Sequence, residues 1–139
     1  MRQTIRDVMT ANPRTVTPST SVVDAARVMR ESDIGDVVVI AEGRLCGILT
    51  DRDIVVRALA EGRDPVRTRV GDICSQELIT VSPDESLGAA VRLMRERAIR
   101  RLPVEEDGRV VGVVSLGDLA VDADRHSALA DISAAPPNA

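Results

Sequence analysis

Apolar and polar positions follow two rhythms along this chain, and the succession of rhythms occurs twice. Val22, Ala25, Ala26 and Met29 recur at the spacing of one helix face, and Leu87, Ala90, Val91 and Met94 repeat it. Ser21 and Ser86 precede these runs as N-caps. A short β-type stretch comes before each helix, at residues 15–16 or 79–81, followed by a turn carrying Pro18 or Pro83. Two aliphatic, strand-like runs come after each helix, at residues 37–40 and 45–49, then at 102–105 and 110–114. Glu42-Gly43 and Asp107-Gly108 separate those runs and signal tight hairpins. A second helix begins at Thr50 or Ser115. The predicted unit is β-α-β-β-α and the fold class is α+β.

The two halves are copies. A shift of 65 residues places Val16 on Val81, Pro18 on Pro83, Ala25 on Ala90 and Met29 on Met94. The same shift places Gly43 on Gly108, Gly47 on Gly112 and Asp53 on Asp118, with no gap. Residues 1–65 are read as the first repeat with its connector and 66–123 as the second, with a flexible tail over 124–139. The connector is residues 57–69, marked by Gly62 and Pro65. One such repeat is too small to bury its own sheet. Two copies packed sheet to sheet, helices outside, would share a core.

Composition narrows the function. The chain of 139 residues has no Phe, Tyr or Trp, so the core is aliphatic and no ring can stack on a base. All 18 basic residues are Arg, each with the planar fork that suits phosphate or carboxylate. A net charge of −4 disfavours nucleic acid as a partner. The start lacks the apolar stretch of a signal peptide, and the longest apolar run, residues 37–41, is too short to span a bilayer. A cytoplasmic protein without membrane attachment is expected. Cys46 and Cys74 lack CxxC spacing and read as reduced structural thiols. His126 is the single His and cannot alone build a triad or a metal site. Met9, Met29 and Met94 fall at core positions. With no nucleophile–base set and no phosphate loop, no catalytic or metal-ligating residue is assigned, and the chain is not expected to be an enzyme.

The second helix of each repeat opens with the same device: Thr50-Asp51-Arg52-Asp53 and Ser115-Leu116-Gly117-Asp118. Two readings stand. In one, hydroxyl and carboxylate form a capping box that satisfies backbone N–H groups. In the other, the helix start and hydroxyl hold a phosphate while the carboxylate accepts from ribose hydroxyls. The Asp recurs in both copies although the residues between differ, which favours the second reading.

Residues 1–123 resemble a tandem pair of cystathionine-β-synthase (CBS) domains, a Bateman module. The resemblance rests on Val16-Thr17-Pro18, Ala25-Ala26-Arg27-Val28-Met29, the run from Gly43 to Asp53, and Ile99-Arg100-Arg101-Leu102-Pro103-Val104. Residues 50–65 resemble stand-alone bacterial CBS pairs of the hypoxic-response type. The resemblance implies pseudo-twofold repeats with two clefts between them, a homodimer, and a non-catalytic regulatory module. It implies AMP, ADP, ATP or S-adenosylmethionine as ligand, and an unidentified protein target. It places Thr50, Asp53, Ser115 and Asp118 at phosphate and ribose. The base would lie among Val37, Val38 and Ile48, or among Ile79, Leu102, Pro103 and Val113, with Arg101 at phosphate. The alternative is a dimeric interaction scaffold whose clefts are vestigial.

The copies differ where Gly35-Asp36 stands against Arg100-Arg101. An Arg pair can form charge-assisted bonds to phosphate, and an inward Asp would repel it. Unequal clefts are expected, although Asp36 and Arg100 could equally be solvated surface charges.

Overall fold

The computed structural model describes residues 3–76 and 79–123. Along the chain run α1 (Ile5–Val8), β1 (Thr10–Ala11), β2 (Thr15–Val16), α2 (Val22–Ser32), β3 (Asp36–Ala41) and β4 (Arg44–Thr50). Then come α3 (Asp51–Asp53), a π-helical continuation (Ile54–Leu59), α4 (Val70–Ile73), α5 (Leu87–Arg97), β5 (Arg101–Glu106), β6 (Arg109–Ser115) and α6 (Leu116–Ala123). The tail proposed for residues 124–139, with His126, lies outside the described residues.

Local chemistry accounts for the main elements. Ser21 Oγ accepts from the Asp24 N–H and Ser86 Oγ from the Ala89 N–H, each at 3.2 Å, so both helices carry their expected caps. Val22, Ala25 and Met29 are buried on α2, as are Ala90 and Met94 on α5. The hairpins turn through Glu42 (φ 53°) and Gly43 (φ 76°), and through Asp107 (φ 52°) and Gly108 (φ 78°). Two left-handed residues in a row match the twist of paired strands. Helix α2 ends on left-handed Asp33 and α5 on left-handed Ala98 (φ 53°). Asp tolerates this conformation, whereas the Ala Cβ crowds the following carbonyl.

Residues 79–81, read as a strand, form only an isolated parallel bridge, Val81 to Val104. The connector does not hang free. The Val22 N–H donates to the Thr68 carbonyl at 2.9 Å and the Val23 N–H to that of Pro65 at 3.0 Å. Thr68 is buried.

The chain divides into two compact units, Pro13–Leu78, and Met1–Asn12 together with Ile79–Ala139. These bounds are offset from the sequence repeats because each repeat's opening segment joins the sheet of the other copy. In Pro13–Leu78 the order is β2-β3-β4, with β2 parallel and β4 antiparallel to β3. Ser75 bridges Ile48 on the far side of β4. In the other unit the order is β1-β6-β5, β1 pairs antiparallel to β6, and Val81 lies beyond β5. Under the 65-residue shift the lanes correspond one for one.

The opening helices dock in matching ways. Ile5 and Arg6 donate to the carbonyls of Glu85 and Pro83 at 3.0 and 2.9 Å. Val70 and Gly71 donate to those of Thr20 and Pro18 at 2.8 and 2.9 Å. Each helix contributes one wholly buried residue, Val70 to one core and Ile5 to the other. Arg6 adds ion pairs to Glu106, foremost, and to Asp84, which raise its already high pKa.

Ile5, although near the N-terminus, should behave as a core residue. Ile5→Ala is expected to cost about 2–5 kcal/mol by chemical denaturation. Ala98→Gly should instead stabilise by up to about 1 kcal/mol, seen as a higher Tm, by relieving the left-handed alanine.

Candidate functional site

The site begins where the second hairpin strand meets its helix. Thr50 Oγ1 accepts from the Asp53 N–H at 3.1 Å, and Asp53 Oδ2 accepts from the Thr50 N–H at 2.9 Å. Ser115 Oγ accepts from the Asp118 N–H at 3.0 Å, and Asp118 Oδ2 accepts from the Ser115 N–H at 2.9 Å. Both copies thus close a reciprocal capping box. Each box uses one carboxylate oxygen. Asp118 Oδ1 has no partner among the described residues. Asp53 Oδ1 lies 3.8 Å from Arg57 Nε, while an Arg57 N–H donates to the Ile73 carbonyl at 3.3 Å. The Asp53 side chain is only 15% exposed, so it does not face open water.

Strand pairing sets what stands beside each hydroxyl. Asp36 lies directly across from Thr50, and Arg101 directly across from Ser115. The Asp51 N–H donates to the Gly35 carbonyl at 2.9 Å and the Leu116 N–H to that of Arg100 at 2.8 Å. The step at which the copies diverge is therefore locked against the helix start in both.

Side-chain alternation sorts the remaining candidates by face. Val38 pairs with Ile48 two places along from the Asp36–Thr50 pair, so these four share one face. Pro103 pairs with Val113 and shares a face with Arg101 and Ser115. The structure brings Thr50, Asp53, Val38 and Ile48 together, and likewise Ser115, Asp118, Arg101, Pro103 and Val113. It places Val37 and Leu102 on the opposite face, wholly or almost wholly buried in the two cores. Ile79 is half-buried and packs on the core that contains Leu102. Arg57 was not among the sequence-derived candidates, although its i,i+4 spacing from Asp53 is visible in the sequence.

Cys46 and Cys74 are both free thiols. Cys74 is buried in the core of Pro13–Leu78 and Cys46 packs against that core. Burial, and then the nearby Asp53 carboxylate, push the Cys74 thiol up from its usual pKa. Among the described residues no group of three or more His, Cys, Asp or Glu could hold a metal ion. No helix among them is long and apolar enough to cross a membrane.

The sequence matches the CBS domain twice, over residues 5–59 and 70–121. The chain belongs to the CBS-domain family. It is a tandem CBS pair, and both family matches begin at the helices that dock on the other copy's sheet. It is 42% identical over 118 residues to the CBS domain-containing protein YhcV of Bacillus subtilis, covering 85% of this chain and 84% of that one. It is 36% identical over 125 residues to Hypoxic response protein 1 of Mycobacterium tuberculosis, covering 89% of this chain and 87% of that one. The crystal structure of Hypoxic Response Protein I with two coordinated zinc ions matches at TM-score 0.75 and 36% identity, over 90% of this chain and 99% of that one. The CBS pair of protein MJ0100, in complex with 5′-methylthioadenosine and S-adenosylmethionine, matches at TM-score 0.81 and 26% identity. That match covers 91% of this chain and 100% of the other.

The fold favours the neutral Cys74 thiol. Its contribution to stability is full below the ordinary thiol value of 9.0 and is lost as pH rises through the elevated folded value. Denaturation midpoints should therefore fall as pH rises from about 9.0 through the elevated folded value, and level off beyond it, in the native chain. The fall should be shallower in Cys74→Val.

Proposed function

We propose that this CBS pair is a non-catalytic sensor that binds an adenine nucleotide or S-adenosylmethionine. In each unit the ligand rests on the face that carries the hydroxyl and the acid. Ribose hydroxyls donate to the carboxylate oxygen not used in capping. The base lies on Val38 and Ile48 in one copy, and on Pro103 and Val113 in the other. Without aromatic rings, shape and backbone groups recognise the base, and the affinity is on the order of micromolar.

One observation carries this reading: two different sequences, Thr-Asp-Arg-Asp and Ser-Leu-Gly-Asp, hold hydroxyl and acid in the same geometry beside an apolar sheet face. Capping alone requires no apolar floor. The adenosyl ligands of the MJ0100 pair support it. Signal output then passes through a second copy of the chain or a protein target. Val55, Val56 and Leu59 on the π-helical stretch and Leu116 on α6 are exposed apolar residues suited to such contacts. A scaffold without ligand is the second reading, because the capping boxes satisfy the same side chains on their own.

Thermal shift with AMP, ADP, ATP and S-adenosylmethionine separates the two. A ligand at a hundred times its Kd should add about 2.7 kcal/mol of stability. Asp53→Ala with Asp118→Ala should abolish that shift. No response to any of the four at millimolar concentration refutes the sensor.

A further inference from the structure

We propose that Cys46 and Cys74 form a redox-modification site, joined reversibly by thiol–disulfide exchange with a small disulfide. They are the only cysteines in the chain, and residues 47–73 separate them. Both belong to the sheet and core of Pro13–Leu78. Under the 65-residue shift, Val111 stands at the position of Cys46 and Met9 at that of Cys74.

A strand irregularity brings the two thiols to one place. Gly47 pairs with Val39 and Leu45 with Ile40, so Cys46 is the extra residue of a bulge in β4. Strict alternation would set Cys46 and Gly47 on opposite faces, but a bulge re-aims the side chain it carries. Cys46 packs against the core that holds Val39, Leu49 and Cys74. Gly47 faces the same core, since its partner Val39 lies there. A Cβ on Gly47 would stand 3.5 Å from Cys74 Sγ. Cys74 Sγ thus lies over the residue next to Cys46, on the side to which Cys46 turns. The other unit repeats the arrangement without thiols. Val111 is its bulged residue and packs with Met9 on one core, and a Cβ on Gly112 would meet Met9 Sδ at 2.6 Å. Electrostatics agrees with the geometry: after burial and Asp53, a charge on Cys46 is the next cause that raises the Cys74 pKa.

Exposure orders the steps. Cys46 is half-buried, and its S–H makes only a long bond of 3.8 Å to the Arg44 carbonyl, so a small disulfide reaches it first. Cys74 is 7% exposed, and burial favours its neutral form. Cys46 gives its proton to solvent, and its sulfur attacks the small disulfide. That S–S bond breaks, and the thiolate released takes up a proton. Cys74 then loses its proton to solvent and attacks the Cys46 sulfur, releasing the second small thiol. Both protein thiols are oxidised, and the small disulfide is reduced to its thiols. The loop so closed contains Thr50, Asp53 and Arg57, and its bond stands beside the Ser75–Ile48 bridge.

Incubation of the reduced native chain with oxidised glutathione, without denaturant, tests this. Both thiols should become resistant to alkylation. Peptide mapping without reductant should recover Cys46 linked to Cys74 in chains that run as monomers on a non-reducing gel, and dithiothreitol should restore both thiols. Cys74→Val should stop at a mixed disulfide on Cys46. In Cys46→Val, which installs the residue of the other copy, Cys74 should react at least about tenfold more slowly than in the native chain. Circular dichroism of each variant identifies loss of fold, and Cys74→Ala takes the place of Cys74→Val should that variant not fold. Thiols that stay unreacted, a stable mixed disulfide on Cys46 of the native chain with Cys74 still free, a link between two chains, or a bond that forms only in denaturant overturns the proposal.

Discussion

Gly47 and Gly112 cannot carry side chains. A Cβ on Gly47 would be driven into the Ser75 carbonyl. One on Gly112 would meet Met9 Sδ at 2.6 Å and the Thr10 carbonyl at 2.9 Å. That close approach lets an opening segment lie along the outer strand of each sheet. It seats Val70 and Ile5 in the cores and holds the hairpin whose last residue starts the site. Most of what positions Thr50 and Ser115 follows from it.

The two helix starts are held by the same reciprocal bonds. A capping box uses one oxygen of its carboxylate and leaves the other available. Capping therefore does not exhaust the lone pairs of the carboxylate. What distinguishes the copies is the residue that the facing strand sets across from the hydroxyl, Asp36 in one and Arg101 in the other. That strand can diverge without disturbing the cap, because its contribution to the helix start is a backbone carbonyl that any residue supplies.

Much of this was legible in the sequence, and the reasons are local. Ser21 and Ser86, Glu42-Gly43 and Asp107-Gly108, and the repeated helix faces each announce themselves within a few residues. The exchange of opening segments was not legible. Thr10–Ala11 is too short to show a period, and its partners at Gly112 and Val113 lie far along the chain. The shift that aligns the repeats does place Ile5 on Val70, but an isolated aliphatic residue does not say which sheet it reaches. The sheet faces were legible only in part. Val37 and Leu102 look like floor residues beside Val38 and Pro103 until strand register assigns them to the cores. Arg57 could have been found from its spacing to Asp53, yet its hydrogen bond to the Ile73 carbonyl depends on α4 and could not.

The exchanged opening helices also bear on how such a chain arises. A single ancestral copy of this unit would lack the helix that fills its own core, and would need a sister molecule to lend one. Both would then lend at once, making an obligate swapped pair. Duplication and fusion turn that loan into an intramolecular one, at the high effective concentration a tether provides. Once joined, the copies no longer need to be identical, and each is free to drift.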